Sequence, residues 1–241
     1  MIKNYFRIDF ETDVESVKVA VDESLEKNIP GFIAVCDGNI LSMVQKDEAY
    51  RSVIDNSMFA IMDSSWIPLY VKWKYGKKYR QYSGSDIFRD FTSSKQYRQY
   101  FLGSSQEVLD GLKKNLTSVD SRITGMVFEP LPYCSVDEFD YGGIAQRIND
   151  DNPDIIWLSL GAPKQEQFAN ELVRKLRRGV VIPVGAVFNF RSGGNVRRAP
   201  DWMVRMHLEF AYRLFVEPGK QFSRCWKILK TLPLILFKKY D

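Results

Sequence analysis

Short apolar runs alternate with amphipathic helical patterns along most of this chain, and this alternation limits its fold more than any other feature. It is typical of a mainly parallel sheet with helices on both faces. The apolar runs predict strands at Phe32–Cys36, Met58–Met62, Arg98–Leu102, Ile123–Phe128, Ile155–Leu160 and Val180–Val184. Helical periodicity predicts helices at Val14–Lys27, Ile40–Asn56, Ser105–Leu116, Gly143–Asp150 and Pro163–Arg178. The sequence therefore predicts an α/β fold with a mainly parallel, Rossmann-like sheet.

Length and composition fit one large domain with a tail. The chain has 241 residues, of which 45% are hydrophobic, and no repeat or long linker divides it. We expect a core at residues 1–200 and a helical C-terminal appendage at residues 201–241. There is no signal-peptide pattern and no apolar run of roughly 18 residues, so we expect a cytoplasmic protein. The three cysteines lie too far apart for a disulfide framework or a zinc site.

Positive charge is concentrated at the C-terminal end. The net charge is +4, but residues 191–241 contain eleven Lys or Arg against four Asp or Glu. A basic tail of this kind suits nucleic acid, an anionic membrane face or a phosphorylated small molecule, and charge alone does not choose among them.

Polar and small residues follow several of the predicted strands. Asp63 comes after Met62, and glycines follow three later runs, at Gly103, Gly161 and Gly185. In sheets of this kind ligands bind beyond the carboxyl ends of the strands, where helix N-termini also point their amides. The arrangement indicates an anion-binding rim. For any single turn the simpler interpretation is that glycine and serine end a strand and cap a helix.

The common nucleotide motifs are missing. The chain has no GxGxxG after its first strand, no GxxxxGK[ST], and no Asp-x-Asp that would hold a divalent ion on a sugar diphosphate. A dinucleotide-binding domain and a P-loop enzyme are therefore not supported. Nucleic-acid binding is disfavoured too, because the basic and aromatic residues cluster in one tail without a recognisable binding module.

Several segments together resemble one family. They are YSGSD (Tyr82–Asp86), FLGSS (Phe101–Ser105), NDDNPD, LGAPKQE, VGAVFNF, RRAPDW and LEFAYRLFVEP, in this order between about Phe32 and Phe222. The chain resembles the WecG/TagA/CpsF bacterial glycosyltransferases, also called glycosyltransferase family 26.

The resemblance implies a GT-E type fold and transfer of a hexose-type sugar from a UDP-sugar to a polyprenyl-diphosphate-linked saccharide. It implies inversion at the anomeric carbon, no cofactor and no metal, on the inner face of the cell membrane during surface polysaccharide synthesis. A different interpretation is a catalytically inactive subunit that binds nucleotide sugar or scaffolds an assembly complex. Two departures from the family pattern favour this inactive-subunit interpretation. Ser64 stands where the family has glycine, and Asn189 stands where the family usually has aspartate.

An inverting transfer needs a base near the acceptor hydroxyl, and the resemblance assigns this role to Asp63. Without the family, the simpler prediction is that Asp63 caps a segment from Trp66 to Lys72. The departing UDP needs fixed positive charge or amide donors. Lys164 and Arg198 match family motifs and are the candidates for that task, and Gln165 is a candidate partner of the sugar or uridine. The simpler interpretations are a solvated first turn after Pro163 and a solvated basic loop at Arg198.

The full set of predicted substrate-binding residues comes from these motifs and turns. It comprises Asp37, Asn39, Ser64, Gly84, Asp86, Gly103, Gly161, Lys164, Gln165, Glu166, Gly185, Asn189, Arg198, Glu209, Arg213 and Arg224.

The segment after Pro218 interleaves aromatic and aliphatic residues with lysine and arginine. It is too short and too charged to span a bilayer, but it suits an anionic membrane surface. The alternative is a helix packed on its own domain or on a second copy of the chain. Because the implied acceptor is lipid-linked, we expect membrane contact.

Overall fold

The computed structural model describes residues 1–194, 200, 203, 212, 214, 215 and 218–237. Its strands are β1 (Ile2–Tyr5), β2 (Ile8–Glu11), β3 (Gly31–Cys36), β4 (Phe59–Met62), β5 (Gln99–Gly103), β6 (Val127–Glu129), β7 (Ile155–Ser159) and β8 (Val180–Pro183). They form one sheet in the order β1-β2-β4-β3-β8-β7-β5-β6. Every neighbouring pair is parallel except β1 with β2. The predicted α/β fold with a mainly parallel sheet is confirmed.

Helices cover both faces of this sheet. They are α1 (Val14–Glu26), α2 (Gly38–Val44), α3 (Glu48–Asp55), α4 (Trp66–Tyr75), α5 (Gly84–Ser93), α6 (Gln106–Thr117), α7 (Tyr141–Asp151), α8 (Lys164–Val173), α9 (Val187–Arg191) and α10 (Pro218–Phe237). One buried apolar layer joins α2, α3, α4, α7, α8 and α10 to the sheet. The layer on the other face contains α1, α5, α6 and α9.

Three predicted elements differ in extent. The helix predicted over Ile40–Asn56 is two helices, α2 and α3, because the Asp47 carboxylate accepts from the Tyr50 amide at 2.9 Å and starts a new helix. The strand predicted over Ile123–Phe128 is a 3-10 turn at Ser121–Gly125 followed by β6. There the Asp120 carboxylate accepts from the Arg122 amide at 3.0 Å, which favours the turn. The last predicted helix ends at Val173, short of Arg178.

The sequence did not predict the N-terminal hairpin or the helices α5 and α9. In the hairpin, β1 and β2 pair through a two-residue turn at Phe6 and Arg7, whose φ angles are 55° and 68°. Turns with two positive φ angles normally use Asn or Gly, so this one leaves no recognisable signal in the sequence.

The C-terminal helix packs on the core. The Ser42 and Thr231 hydroxyls form a buried hydrogen bond of 2.6 Å between α2 and α10. The Lys74 Nζ donates to the Ile235 carbonyl at 2.9 Å and joins α4 to the same helix. The predicted domain boundary at residue 200 borders residues outside the described ranges and stays a prediction. None of the described helices has the length and apolar character needed to cross a bilayer.

The strand order decides where a site can lie. The carboxyl ends of five neighbouring parallel strands, β4, β3, β8, β7 and β5, follow one another along one edge of the sheet. The turns predicted to bind substrate leave from these ends, so the fold brings them to a common rim.

Candidate active site

Asp63 lies at this rim, directly after β4. Its amide donates to the Cys36 carbonyl of β3 at 2.9 Å, which extends the pairing of β3 and β4 by one residue. The side chain is half-buried. Its position at the end of a buried strand fits a group that must face a substrate while its backbone stays rigid.

The first turn of α5 holds the Asp63 carboxylate. Oδ1 accepts from the Gly84 amide at 2.7 Å, at the positive end of the helix dipole. A Cβ atom on Gly84 would lie 3.1 Å from Val35 Cγ1 and 3.5 Å from Asp63 Oδ1, so glycine allows this close approach. The helix begins with a capping box, in which the Asp86 carboxylate accepts from the Ser83 amide and the Ser83 hydroxyl accepts from the Asp86 amide.

Asp63 therefore does not simply cap the next helix. α4 begins at Trp66, its N-cap is Ser65, and Ser65 makes no side-chain capping bond. Ser64 accepts weakly from the Trp66 amide, at 3.4 Å. Gly84 and Asp86, both predicted substrate ligands, take up positions that support Asp63.

Asp37 and Asn39 follow β3, next to the Asp63 turn. One Asp37 oxygen, Oδ1, accepts from the amides of Asn39 and Ile40 at 2.9 Å and caps α2. The Asn39 side chain is buried, with its Nδ2 3.7 Å from the Met43 sulfur. The structure thus gives both residues a role in shaping the start of α2 at the rim.

Three glycine turns form the other half of the rim. Gly103, Gly161 and Gly185 have φ angles of 94°, 80° and 53°. At Gly103 a Cβ atom would lie 2.6 Å from the Ser159 carbonyl oxygen, so no other residue fits without a shift of the backbone. The Ser159 hydroxyl donates to the Gly185 carbonyl at 2.8 Å and ties β7 to the turn after β8.

A buried polar chain fixes the turns at Gly161 and Gly185. The Gly161 amide donates to Gln165 Oε1 at 3.1 Å, and a Cβ atom on Gly185 would lie 3.2 Å from the same oxygen. The Gln165 Nε2 donates to Glu166 Oε1 at 2.8 Å, and the Tyr50 hydroxyl donates to Glu166 Oε2 at 3.1 Å. Glu166 has no exposed surface, so it lies beneath the rim and orients Gln165.

Burial changes the acidity of the groups in this region. Desolvation raises the pKa of Glu166 to about 7, and the charge of Asp37 adds to the rise. The hydrogen bonds from Gln165 and Tyr50 oppose it. Desolvation and then the charges of Asp37, Asp63 and Glu166 raise the pKa of the Cys36 thiol well above its usual value. Both shifts arise mainly from burial beneath the rim, and neighbouring carboxylate charges add to them.

Lys164 begins α8 but its ammonium is turned toward the loop before α7. Its Nζ donates to the Cys134 carbonyl and lies 4.8 Å from the centre of the Phe139 ring and 5.5 Å from that of Tyr133. The N-cap of α8 is Pro163, which has no side-chain acceptor. The Gln165 amide donates to the Gly161 carbonyl at 3.0 Å, so the first turn of α8 is bonded to the turn that precedes it.

The remaining predicted site residues divide into two groups. Asn189 lies in α9, half-buried, and its carbonyl accepts from the Ser192 hydroxyl at 3.0 Å. Arg198, Glu209 and Arg213 lie outside the described residues, as does the side chain of Arg224 in α10. Within the described ranges no three His, Cys, Asp or Glu side chains gather as a metal site would require.

Sequence reasoning missed two contributors. Gln81 donates from Nε2 to the Asp63 carbonyl, and Tyr50 donates to Glu166 from a different helix. No local sequence pattern predicts either contact, because the two residues that form it are far apart in the chain. Ser83 did carry one: Ser-x-x-Asp at residues 83–86 fits the capping-box pattern.

Comparison with known proteins shows the family of this chain. The profile of the Glycosyl transferase WecG/TagA/CpsF family matches residues 4–241. The chain belongs to this family. It is a glycosyltransferase, as motifs such as LGAPKQE and VGAVFNF, at Gly161 and Gly185, predicted.

Its relatives carry a more specific name. An N-acetylglucosaminyldiphosphoundecaprenol N-acetyl-beta-D-mannosaminyltransferase of Bacillus subtilis (strain 168) is 27% identical over 214 residues, covering 87% of this chain and 78% of the relative. The protein of the same name from Bacillus spizizenii is 25% identical over 216 residues, with the same coverage. One from Staphylococcus aureus (strain NCTC 8325 / PS 47) is 21% identical over 231 residues, covering 93% and 85%.

Proposed function

We propose that this glycosyltransferase moves a hexose-type sugar from a UDP-sugar to a polyprenyl-diphosphate-linked saccharide, with inversion and without a metal, at the inner face of the cell membrane. The observation that carries the proposal is the Asp63 carboxylate, held by the Gly84 amide at the end of a central strand.

Asp63 acts as the general base. The acceptor hydroxyl transfers its proton to the Asp63 carboxylate while its oxygen forms a bond to the anomeric carbon of the donor. The bond from that carbon to the diphosphate oxygen breaks, and UDP leaves with the electron pair. The Gly84 amide and the Gln81 contact to the Asp63 carbonyl keep the carboxylate in place for the attack.

The opposite half of the rim receives the leaving group. Negative charge grows on the diphosphate as UDP departs, and preorganised amides stabilise such charge without reorganising. The positive end of the α8 dipole favours negative charge at this place. Gln165, which accepts from the Gly161 amide and donates to Glu166, is the proposed hydrogen-bond partner of the sugar or uridine. Arg198, Arg213 and Arg224 are the proposed cationic partners of the diphosphate, and Lys164 joins them only if its Nζ leaves the Cys134 carbonyl.

The lipid-linked acceptor follows from the relatives and from the C-terminal helix. The relatives' names specify an N-acetylglucosaminyl-diphosphoundecaprenol acceptor and an N-acetylmannosaminyl group. In α10, Phe222, Trp226 and Leu229 are exposed, so the helix offers an apolar face to a membrane while Ile235 packs into the core. UDP-N-acetylmannosamine is therefore the first donor to test.

The decisive experiment measures UDP release with a panel of UDP-sugars and a polyprenyl-diphosphate-linked N-acetylglucosamine analogue. We expect Asp63→Asn to lower kcat on the order of 100- to 10,000-fold while UDP affinity is retained, because only the base is lost. The matched control is Asp110→Asn, an exposed carboxylate of α6 paired with Gln106, which should keep the wild-type rate.

Two results would contradict the proposal. Full activity of Asp63→Asn would remove Asp63 as the base. A wild-type protein that binds UDP but releases none with any donor would instead favour the non-catalytic binding subunit.

A further inference from the structure

Helix α4 carries an unusual exposed surface. Trp66, Leu69 and Trp73 are 45%, 37% and 61% exposed. Their spacing of three and four residues places them on one stripe of the helix. The opposite side of α4 buries Ile67 and Val71 in the core, so the helix is fixed with its aromatic stripe outward. We call these three side chains the α4 stripe.

Basic residues lie within α4 and directly after it. Between Asp63 and Asp86 the sequence has no Asp or Glu but five basic residues: Lys72, Lys74, Lys77, Lys78 and Arg80. Lys72, Lys77 and Lys78 are exposed. Lys74 instead donates to the Ile235 carbonyl of α10. An apolar stripe flanked by exposed lysines is the pattern of a helix lying in an anionic lipid interface.

The α4 stripe is continuous with the exposed face of α10. The Trp73 ring meets the Phe237 ring edge-on, with centroids 5.8 Å apart, and Phe237 is itself 72% exposed. Of the four tryptophans among the described residues, only Trp157 is buried; the other three lie on α4 and α10. Tryptophan is the residue type that concentrates at the level of lipid headgroups.

We propose that α4 is a membrane-contact element of the catalytic core, which inserts Trp66, Leu69 and Trp73 into an anionic phospholipid surface. α4 begins three residues after Asp63, so its insertion holds the base at the level of the headgroups, where a lipid-linked hydroxyl is presented. The membrane contact is inferred from α4 itself. The placement of Asp63 beside a lipid-linked hydroxyl rests also on the proposed function.

A second copy of the chain fits this surface less well. In a two-fold contact the same patch faces itself, so the exposed lysines around the α4 stripe would meet lysines of the partner. Lysine is depleted at protein–protein interfaces, whereas it is favoured beside anionic lipid. Charge complementarity thus selects the lipid surface.

The test measures binding of the full chain to vesicles by co-sedimentation, using equimolar phosphatidylglycerol and phosphatidylethanolamine, or phosphatidylcholine alone. We expect the wild type to prefer the anionic vesicles and the double variant Trp66→Ala, Trp73→Ala to bind them on the order of tenfold more weakly. The control is Val19→Ala, Ile29→Ala, which truncates two exposed apolar side chains elsewhere and should bind like the wild type. A second variant, Lys77→Glu, Lys78→Glu, should lose binding while leaving the aromatic groups intact.

Unchanged vesicle binding by both the tryptophan variant and the lysine variant would overturn the proposal, provided that circular dichroism shows them folded. Light scattering in solution gives an independent outcome. If the tryptophan variant converts a dimer into a monomer and vesicle binding persists, the stripe belongs to a second copy and the proposal fails.

Activity separates this inference from the proposed function. With a water-soluble short-chain acceptor the tryptophan variant should keep the wild-type rate, and with the same acceptor embedded in anionic vesicles it should lose on the order of tenfold. A wild-type enzyme inactive on both acceptors would contradict the proposed function and leave the vesicle-binding result standing. Equal losses of the variant on both acceptors would refute the role of α4 at the membrane.

Discussion

Glu166 is a fully buried carboxyl group whose charge is costly to the folded protein. Its pKa rises from an ordinary 4.5 to about 7 on folding. Because the pKa is higher in the folded state, the protonated carboxyl group stabilises the fold. This stabilisation is fully present below pH 4.5 and is lost as the pH rises through about 7. This group therefore makes the protein less stable at pH 7.5 than at pH 5.

Replacing Glu166 by Gln should remove this dependence. We expect the free energy of unfolding of Glu166→Gln to gain roughly 2 kcal/mol on that of the wild type between pH 5 and pH 7.5. Urea denaturation at the two pH values measures the difference. Glu171→Gln, farther along α8, controls for the general effect of removing a carboxylate, and a parallel pH profile for Glu166→Gln and wild type would disprove the shift.

Among the elements, α5 connects helix capping to the base. Ser83→Ala removes the side chain that accepts from the Asp86 amide, and it should lower the free energy of unfolding by about 1 kcal/mol. Because the same turn presents the Gly84 amide to Asp63, we also expect kcat to fall.

The matched control is Asp13→Ala, the cap of α1. The Asp13 carboxylate accepts from the Ser16 amide at 3.1 Å, and α1 follows β2, which is not one of the five strands that end at the rim. Asp13→Ala should lower stability by about the same 1 kcal/mol and leave kcat unchanged. Equal effects of both variants on kcat would show that the α5 cap has no special link to the base.

The elements also show what local sequence can and cannot predict. Continuous apolar runs located β3, β4, β5, β7 and β8 within two residues, because strands buried on both faces leave that signal. β1 has no such apolar run and was not predicted, since Ile2, Lys3 and Asn4 are all exposed. In α2 and α3 the apolar periodicity continued past a break that only the Asp47 cap reveals.

The same limit applies to the site. Residues within two positions of a strand end, such as Asp63 and Gly161, could be placed at the rim because parallel strands end at one edge. The partners that orient them were not: Tyr50 reaches Glu166 across 116 positions of the chain. Such contacts depend on how α3 and α8 pack together, and no local pattern encodes that.

At the scale of the whole molecule, α10 is part of the core as well as a surface. Ile235 is completely buried, whereas its neighbour Leu234 is 41% exposed. If α10 unfolds together with the sheet, Ile235→Ala should lower the free energy of unfolding by about 2–4 kcal/mol in a single transition, and Leu234→Ala by much less.

Urea denaturation followed by circular dichroism distinguishes the possibilities. A separate early transition for Ile235→Ala, with the main transition unmoved, would mean that the appendage is an independent unit. A single shifted transition would mean that the core and α10 form one cooperative unit.

The hydrogen bond from Gly84 to Asp63 has a consequence for engineering this enzyme. Turns at the rim leave from separate strands, so an exchange of single turns between relatives looks like a simple route to new donor preferences. The carboxylate of one turn, however, is held by the start of a helix some twenty positions later. Chimeras should therefore carry residues 63–86 as one cassette, and residues 161–166 together with Gly185, whose backbone lies against Gln165. A graft that cuts inside either cassette would separate a reacting group from the support that aims it.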